Sequence, residues 1–153
     1  MEFIGNLTSG DNDQYRHEGW GGRMIHEITT NAFRDGAFRM HPNVILVHAG
    51  TNDLQIISSS ERYMSAPERL GNLLDGILCE CPDAVVLVAR IIWHQTGDII
   101  PRLEAYNFAM RDIVQKRAAR GFRVELIDQS LVGPADLFDG LHPNDSKLSC
   151  DAR

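Results

Sequence analysis

Val44-Ile45-Leu46-Val47-His48-Ala49-Gly50-Thr51-Asn52-Asp53 decides the fold. Its first four residues form an unbroken aliphatic, mostly β-branched run. Such runs belong to strands buried on both faces, as in parallel sheets covered by helices. The run gives way to small and polar residues at the strand's carboxyl end, the place where ligands of open α/β sheets bind.

Working outward, Ala84-Val85-Val86-Leu87-Val88-Ala89 reads as a second fully buried strand. Between the two, Ser65-Ala66-Pro67-Glu68 carries a capping-box signature with Pro in the first turn. The helix behind it bears one apolar stripe of Leu70, Leu73, Leu74, Ile77, Leu78 and Cys81. A further helix is predicted from about Pro101 to near Gly121, with Leu103, Tyr106, Met110, Ile113 and Val114 apolar. Arg123-Val124-Glu125-Leu126-Ile127 alternates, as an edge strand exposed on one side does. On the amino-terminal side, residues 3–7 read as a short strand entering a polar loop from Thr8 to Gly22. An amphipathic helix with Ile25, Ile28 and Ala32 follows and stops at Asp35-Gly36. Alternating strands and helices define an α/β architecture with a mostly parallel sheet.

At 153 residues the chain is one domain, residues 1–153, large enough to bury a core without staples. A net charge of -6 with no basic cluster argues against nucleic acid as a partner. No run reaches the 18 or so apolar residues of a membrane span. Met1-Glu2-Phe3-Ile4-Gly5 shows no signal peptide. Cys79, Cys81 and Cys150 form neither a disulfide framework nor a zinc pattern and read as ordinary thiols.

Asp139-Gly140-Leu141-His142-Pro143 sets a carboxylate three positions before an imidazole. An acid that fixes a histidine's tautomer and stabilises its charged form is half of a nucleophilic triad. The same spacing also suits a plain turn, since Asp and Pro both favour turns. Asn52 could donate its amide to a developing oxyanion, and the Gly22 N–H, at the opening of a helix, could do the same. A loop Asn satisfying its own backbone and a turn glycine are the plain alternatives. His48 is expected to pack at the end of its strand and His26 to face solvent. His17 suggests a structural role, and Trp20 and Trp93 either pack or shape a pocket.

With these stretches in view, the chain resembles the SGNH (GDSL-type) hydrolases, and within them the small acetyl xylan esterases and related carbohydrate esterases. The resemblance rests on Phe3-Ile4-Gly5, His17-Glu18-Gly19 to Gly22, Gly50-Thr51-Asn52-Asp53, Ala105-Tyr106-Asn107 and Asp139-Gly140-Leu141-His142-Pro143-Asn144-Asp145. It implies a three-layer α/β/α sandwich with a flavodoxin-like sheet. It further implies Gly22 and Asn52 as the oxyanion hole, His142 as general base and Asp139 as its orienting acid. No metal or organic cofactor is required by that chemistry, and the implied substrates are acetyl or other short acyl esters, including those of carbohydrates.

The family's Gly-Asp-Ser motif, which carries the nucleophile, has no counterpart here. Ser9-Gly10-Asp11 reverses the order, and neither Ser130 nor the run Ser58-Ser59-Ser60 fits the position. Relative to the family pattern the chain is expected to lack its first strand and its last helix. Two other readings stay open: a non-catalytic relic that keeps the cleft as a binding module, and a metal-assisted hydrolase built on Asp139, His142 and Asp145. Localisation follows the full-length form, secreted if it carries a signal peptide and cytoplasmic otherwise.

Overall fold

A computed structural model describes residues 2–8, 16–34, 36–55, 63–92 and 97–144. Its centre is a three-stranded parallel sheet of β3 (Val44–Val47), β4 (Val85–Ala89) and β5 (Val124–Ile127), in that order. Three long helices connect and cover it: α1 (Ile25–Arg34), α3 (Ala66–Glu80) and α4 (Ile100–Ala118). A short helix, α2 (Thr51–Gln55), begins directly after the β3 loop.

The registers Ile45↔Val86↔Val124 and Val47↔Val88↔Leu126 put six aliphatic side chains on one face of the sheet. This face meets the apolar stripes of the helices, including Ile25, Leu70, Leu74, Ile77, Tyr106 and Met110, in one continuous core. The described helices thus form one layer, as right-handed crossovers running in a single direction along a sheet require. The opposite face carries Val44, Leu46, Val85, Leu87, Ala89, Glu125 and Ile127. Val44 is 50% exposed and Leu46 76% exposed. The aliphatic run of β3 is therefore buried on one face only, against expectation, because no described element packs over its other side chains. β3 is also an edge of the described sheet. His48 at its end is exposed rather than packed, whereas His26 faces solvent as expected.

The amino-terminal strand differs too. Pairing is confined to β1 (Leu7–Thr8), antiparallel to β2 (Arg16–His17), in a two-stranded ribbon separate from the main sheet. Gly5 is buried against the His17 backbone so closely that a Cβ would clash, which explains why glycine stands there. Ser65 precedes α3 but makes no cap with its side chain; its Oγ instead accepts a 2.6 Å hydrogen bond from Arg69 Nη1. Cys79 is exposed and Cys81 buried, with the Cys81 thiol 3.4 Å from the Phe38 carbonyl. Cys150 lies outside the described residues.

Candidate active site

The carboxyl ends of parallel strands share one edge of a sheet, and the segments that leave β3 and β5 there hold the candidate residues. After β5, the chain turns through a 3₁₀ segment, Pro134–Asp136, and closes on itself by a bridge between Leu137 and Pro143. Phe138 N–H donates to the His142 carbonyl at 2.9 Å. Asp139 sits at the start of this tight loop. Its Oδ1 accepts the backbone N–H groups of Leu141 at 3.0 Å and His142 at 2.7 Å. Its Oδ2 lies 2.7 Å from His142 Nδ1. A carboxylate can only accept, so this network assigns the hydrogen to Nδ1 and leaves the lone pair on Nε2. The His142 side chain holds Asp139 down at about 2, helped by the His142 and Leu141 amides, against an ordinary 3.8. His142 is 65% exposed at its side chain and Asp139 37%, so the imidazole edge is reachable from solvent.

After β3, Gly50 adopts φ +128. Its missing Cβ leaves room for the Tyr106 ring, and the Tyr106 hydroxyl donates to the Ala49 carbonyl at 2.9 Å. Burial, with Asp53 nearby, pushes the Tyr106 phenol far above its ordinary range, so it remains a neutral donor. Asn52 then points back toward the segment before α1, donating from Nδ2 to the Arg23 carbonyl at 3.1 Å. The carboxamide nitrogen carries two hydrogens, so this bond orients the second. Gly22, at φ +72, lies in the turn three residues ahead of α1 rather than in its first turn, and is exposed. The Asn52–Arg23 bond therefore ties the Asn52 loop to the residue that follows Gly22, and the Asp139–His142 contact joins the other two predicted residues.

Two buried groups, Asp53 and Tyr106, support this loop from beneath. Asp53 is fully buried; its Oδ1 receives Arg69 Nε at 2.8 Å and Nη2 at 2.7 Å, and its Oδ2 receives the Ile25 N–H at 2.9 Å. Tyr106 closes the loop from below. In the sequence Asp53 and Tyr106 stand in the stretches Gly50-Thr51-Asn52-Asp53 and Ala105-Tyr106-Asn107, which mark the positions without saying what they bind. The buried Asn107 does similar work after β4, clasping Ile91 by its N–H and its carbonyl, both at 2.9 Å.

Ser130 donates its hydroxyl to Asp128 at 3.1 Å and stands in the β5 exit loop. His17 accepts the Gly19 N–H at 3.0 Å, a local structural role, and the half-buried Trp20 donates its indole N–H to Glu18. Ser9 to Asp11, Ser58 to Ser60, Trp93, His94 and Asp145 lie outside the described residues. Among the described residues no cluster of three His, Cys, Asp or Glu could hold a metal ion. No described helix is long and apolar enough to cross a membrane.

Residues 4–146 match the model of the GDSL-like lipase/acylhydrolase family, and the chain belongs to that family. The fold is similar to a Clostridium thermocellum family 3 carbohydrate esterase, at 25% identity and TM-score 0.74, covering 95% of this chain and 70% of that one. It is similar also to a family 3 carbohydrate esterase from Talaromyces cellulolyticus, at 24% identity and TM-score 0.78, covering 95% and 73%. An acetyl esterase mutant solved with acetate ion aligns at 24% identity and TM-score 0.77, again over 95% and 73%. No curated protein matches the sequence significantly. The expected SGNH (GDSL-type) hydrolase fold holds, and the domain is of the ester hydrolase class.

Proposed function

We propose that this domain deacylates acetyl or other short acyl esters, carbohydrate esters among them, by serine-dependent acyl transfer. The observation that carries the reading is the 2.7 Å Asp139–His142 contact, which leaves Nε2 of an exposed imidazole free to take a proton. In the first half-reaction a serine Oγ attacks the ester carbonyl while His142 Nε2 takes its proton, and Asp139 stabilises the imidazolium. The carbonyl oxygen becomes an oxyanion that the Gly22 N–H and the Asn52 amide receive. Collapse expels the alcohol, protonated by His142, and leaves the acyl-serine. Water, deprotonated by the same imidazole, then attacks; the carboxylic acid leaves and the serine is restored.

No serine of the chain is assigned as the nucleophile. The reading has it supplied by polypeptide outside residues 1–153, as a strand along the open edge of β3. Two features support this: β3 is an edge of the described sheet beside the Gly50–Asn52 loop, and the similar esterases are longer than this chain. The absence of an assigned serine also favours a second reading, a binding module that holds the acyl group without turnover.

Fluorophosphonate labelling, read by intact mass and peptide mapping, tests both. The expected result is no label on residues 1–153 alone. A single serine should be labelled when a strand ending in Gly-Asp-Ser is joined upstream, and the label should be lost in His142→Ala. Labelling that persists in His142→Ala refutes the assigned base. A label on the unextended chain refutes the outside nucleophile. No label on either form, with acetate still bound, supports the binding module.

A further inference from the structure

We infer that Asp53, neutralised by Arg69, is a positioning residue that sets the Gly22 turn in register with Asn52. This rests on the assignment of Gly22 and Asn52 as the oxyanion donors. The two donors come from segments about thirty residues apart, so covalent connection alone does not align them. Two hydrogen bonds join the segments: Asn52 Nδ2 to the Arg23 carbonyl at 3.1 Å, and Ile25 N–H to Asp53 Oδ2 at 2.9 Å. They come from adjacent residues on one side and near neighbours on the other, so together they fix both distance and rotation. A single bond would act as a pivot.

The strength of the clamp comes from burial. Asp53 is fully buried and its charge is met by a planar guanidinium, with Nε and Nη2 both on Oδ1. That occupancy frees Oδ2 to face the Ile25 amide. Ser65 accepts from Arg69 Nη1 at 2.6 Å, which tethers the guanidinium at the start of α3. A preorganised oxyanion site depends on donors that do not reorient during the reaction, and this network supplies that rigidity from outside the cleft.

The test compares the whole wild-type chain with Asp53→Leu/Arg69→Met and Asp53→Asn/Arg69→Met by ¹H–¹⁵N NMR, following the Asn52 side-chain amide with and without sodium acetate. Both double variants remove the buried charges as a pair, which buried sites tolerate far better than loss of one partner. Only the asparagine variant keeps an oxygen for the Ile25 N–H. In Asp53→Leu/Arg69→Met the two Asn52 Nδ2 hydrogens should move to solvent-like shifts, and acetate should bind about tenfold more weakly, as expected for a misplaced donor. In Asp53→Asn/Arg69→Met both readouts should stay near wild type. A loss of stability alone does not move the Asn52 signals of the folded protein, so unchanged signals in folded Asp53→Leu/Arg69→Met overturn the inference. If that variant does not fold, Arg69→Lys, which keeps the charge without the fork, is read the same way: faster Asn52 amide exchange is expected, and unchanged exchange overturns it. Acetate that leaves Asn52 unperturbed in the wild type refutes the oxyanion assignment, while the ligand-free signals still decide the positioning role.

Discussion

Replacing Gly50 by alanine tests the construction of the loop after β3. The Gly50 backbone stands at φ +128, a conformation that side chains other than glycine's rarely adopt. An added Cβ would lie 2.7 Å from Cε1, Cζ and the hydroxyl of Tyr106, well inside contact distance. Tyr106 is buried and tethered to the Ala49 carbonyl, so the ring has little room to retreat. Backbone strain of this kind costs about 1–3 kcal/mol and overpacking a further 1–3 kcal/mol. Taken together, roughly 3–5 kcal/mol of stability should be lost, lowering Tm by roughly 10 °C for a domain of this size. The assay is urea unfolding, where the midpoint should fall without change in slope. Combining Gly50→Ala with Tyr106→Phe should cost less than the sum of the two, because the phenylalanine removes one of the three clashing atoms. A loss below about 1 kcal/mol for Gly50→Ala, the size of an ordinary substitution, would refute the close approach of ring and backbone.

Asp139 should titrate near pH 2 by ¹³C NMR of its carboxyl carbon, against an ordinary 3.8. Because its folded value is the lower one, its contribution to stability is complete above pH ~4 and lost as pH falls through 2, and a midpoint at or above ~4 would break the His142 contact as drawn. Asn107→Leu should destabilise by roughly 2–5 kcal/mol in urea, since both the N–H and the carbonyl of Ile91 lose their partner; a near-neutral result would contradict the clasp. Leu46→Lys should leave the urea midpoint within about 0.5 kcal/mol, because the side chain meets no described layer. A large loss would mean that the outer face of β3 is covered.

The sequence by itself determined what depends on neighbours along the chain. Aliphatic runs marked β3 and β4, alternation marked β5, and helical stripes marked α3 and α4, because side-chain periodicity follows directly from backbone geometry. The Asp139–His142 contact was legible for the same reason: it spans three residues within one turn, and the carboxylate binds its own loop's amides. Burial of β3 was misread because a hydrophobic run reports a preference for burial and not whether a layer is there to supply it. Ser65 makes no side-chain cap because a competing neighbour four residues on, the Arg69 guanidinium held by Asp53, donates to its hydroxyl.

Only the tertiary structure decided which polar groups meet across the core. Asp53 reaches Ile25 over 28 residues, Tyr106 reaches Ala49 over 57, and Asn107 reaches Ile91 over 16. In the sequence Asp53, Tyr106 and Asn107 stand in motif stretches, which mark their positions but not their partners. Their partners are chosen by how α1, α3 and α4 pack on the sheet, and a buried polar group must find a partner wherever that packing brings one.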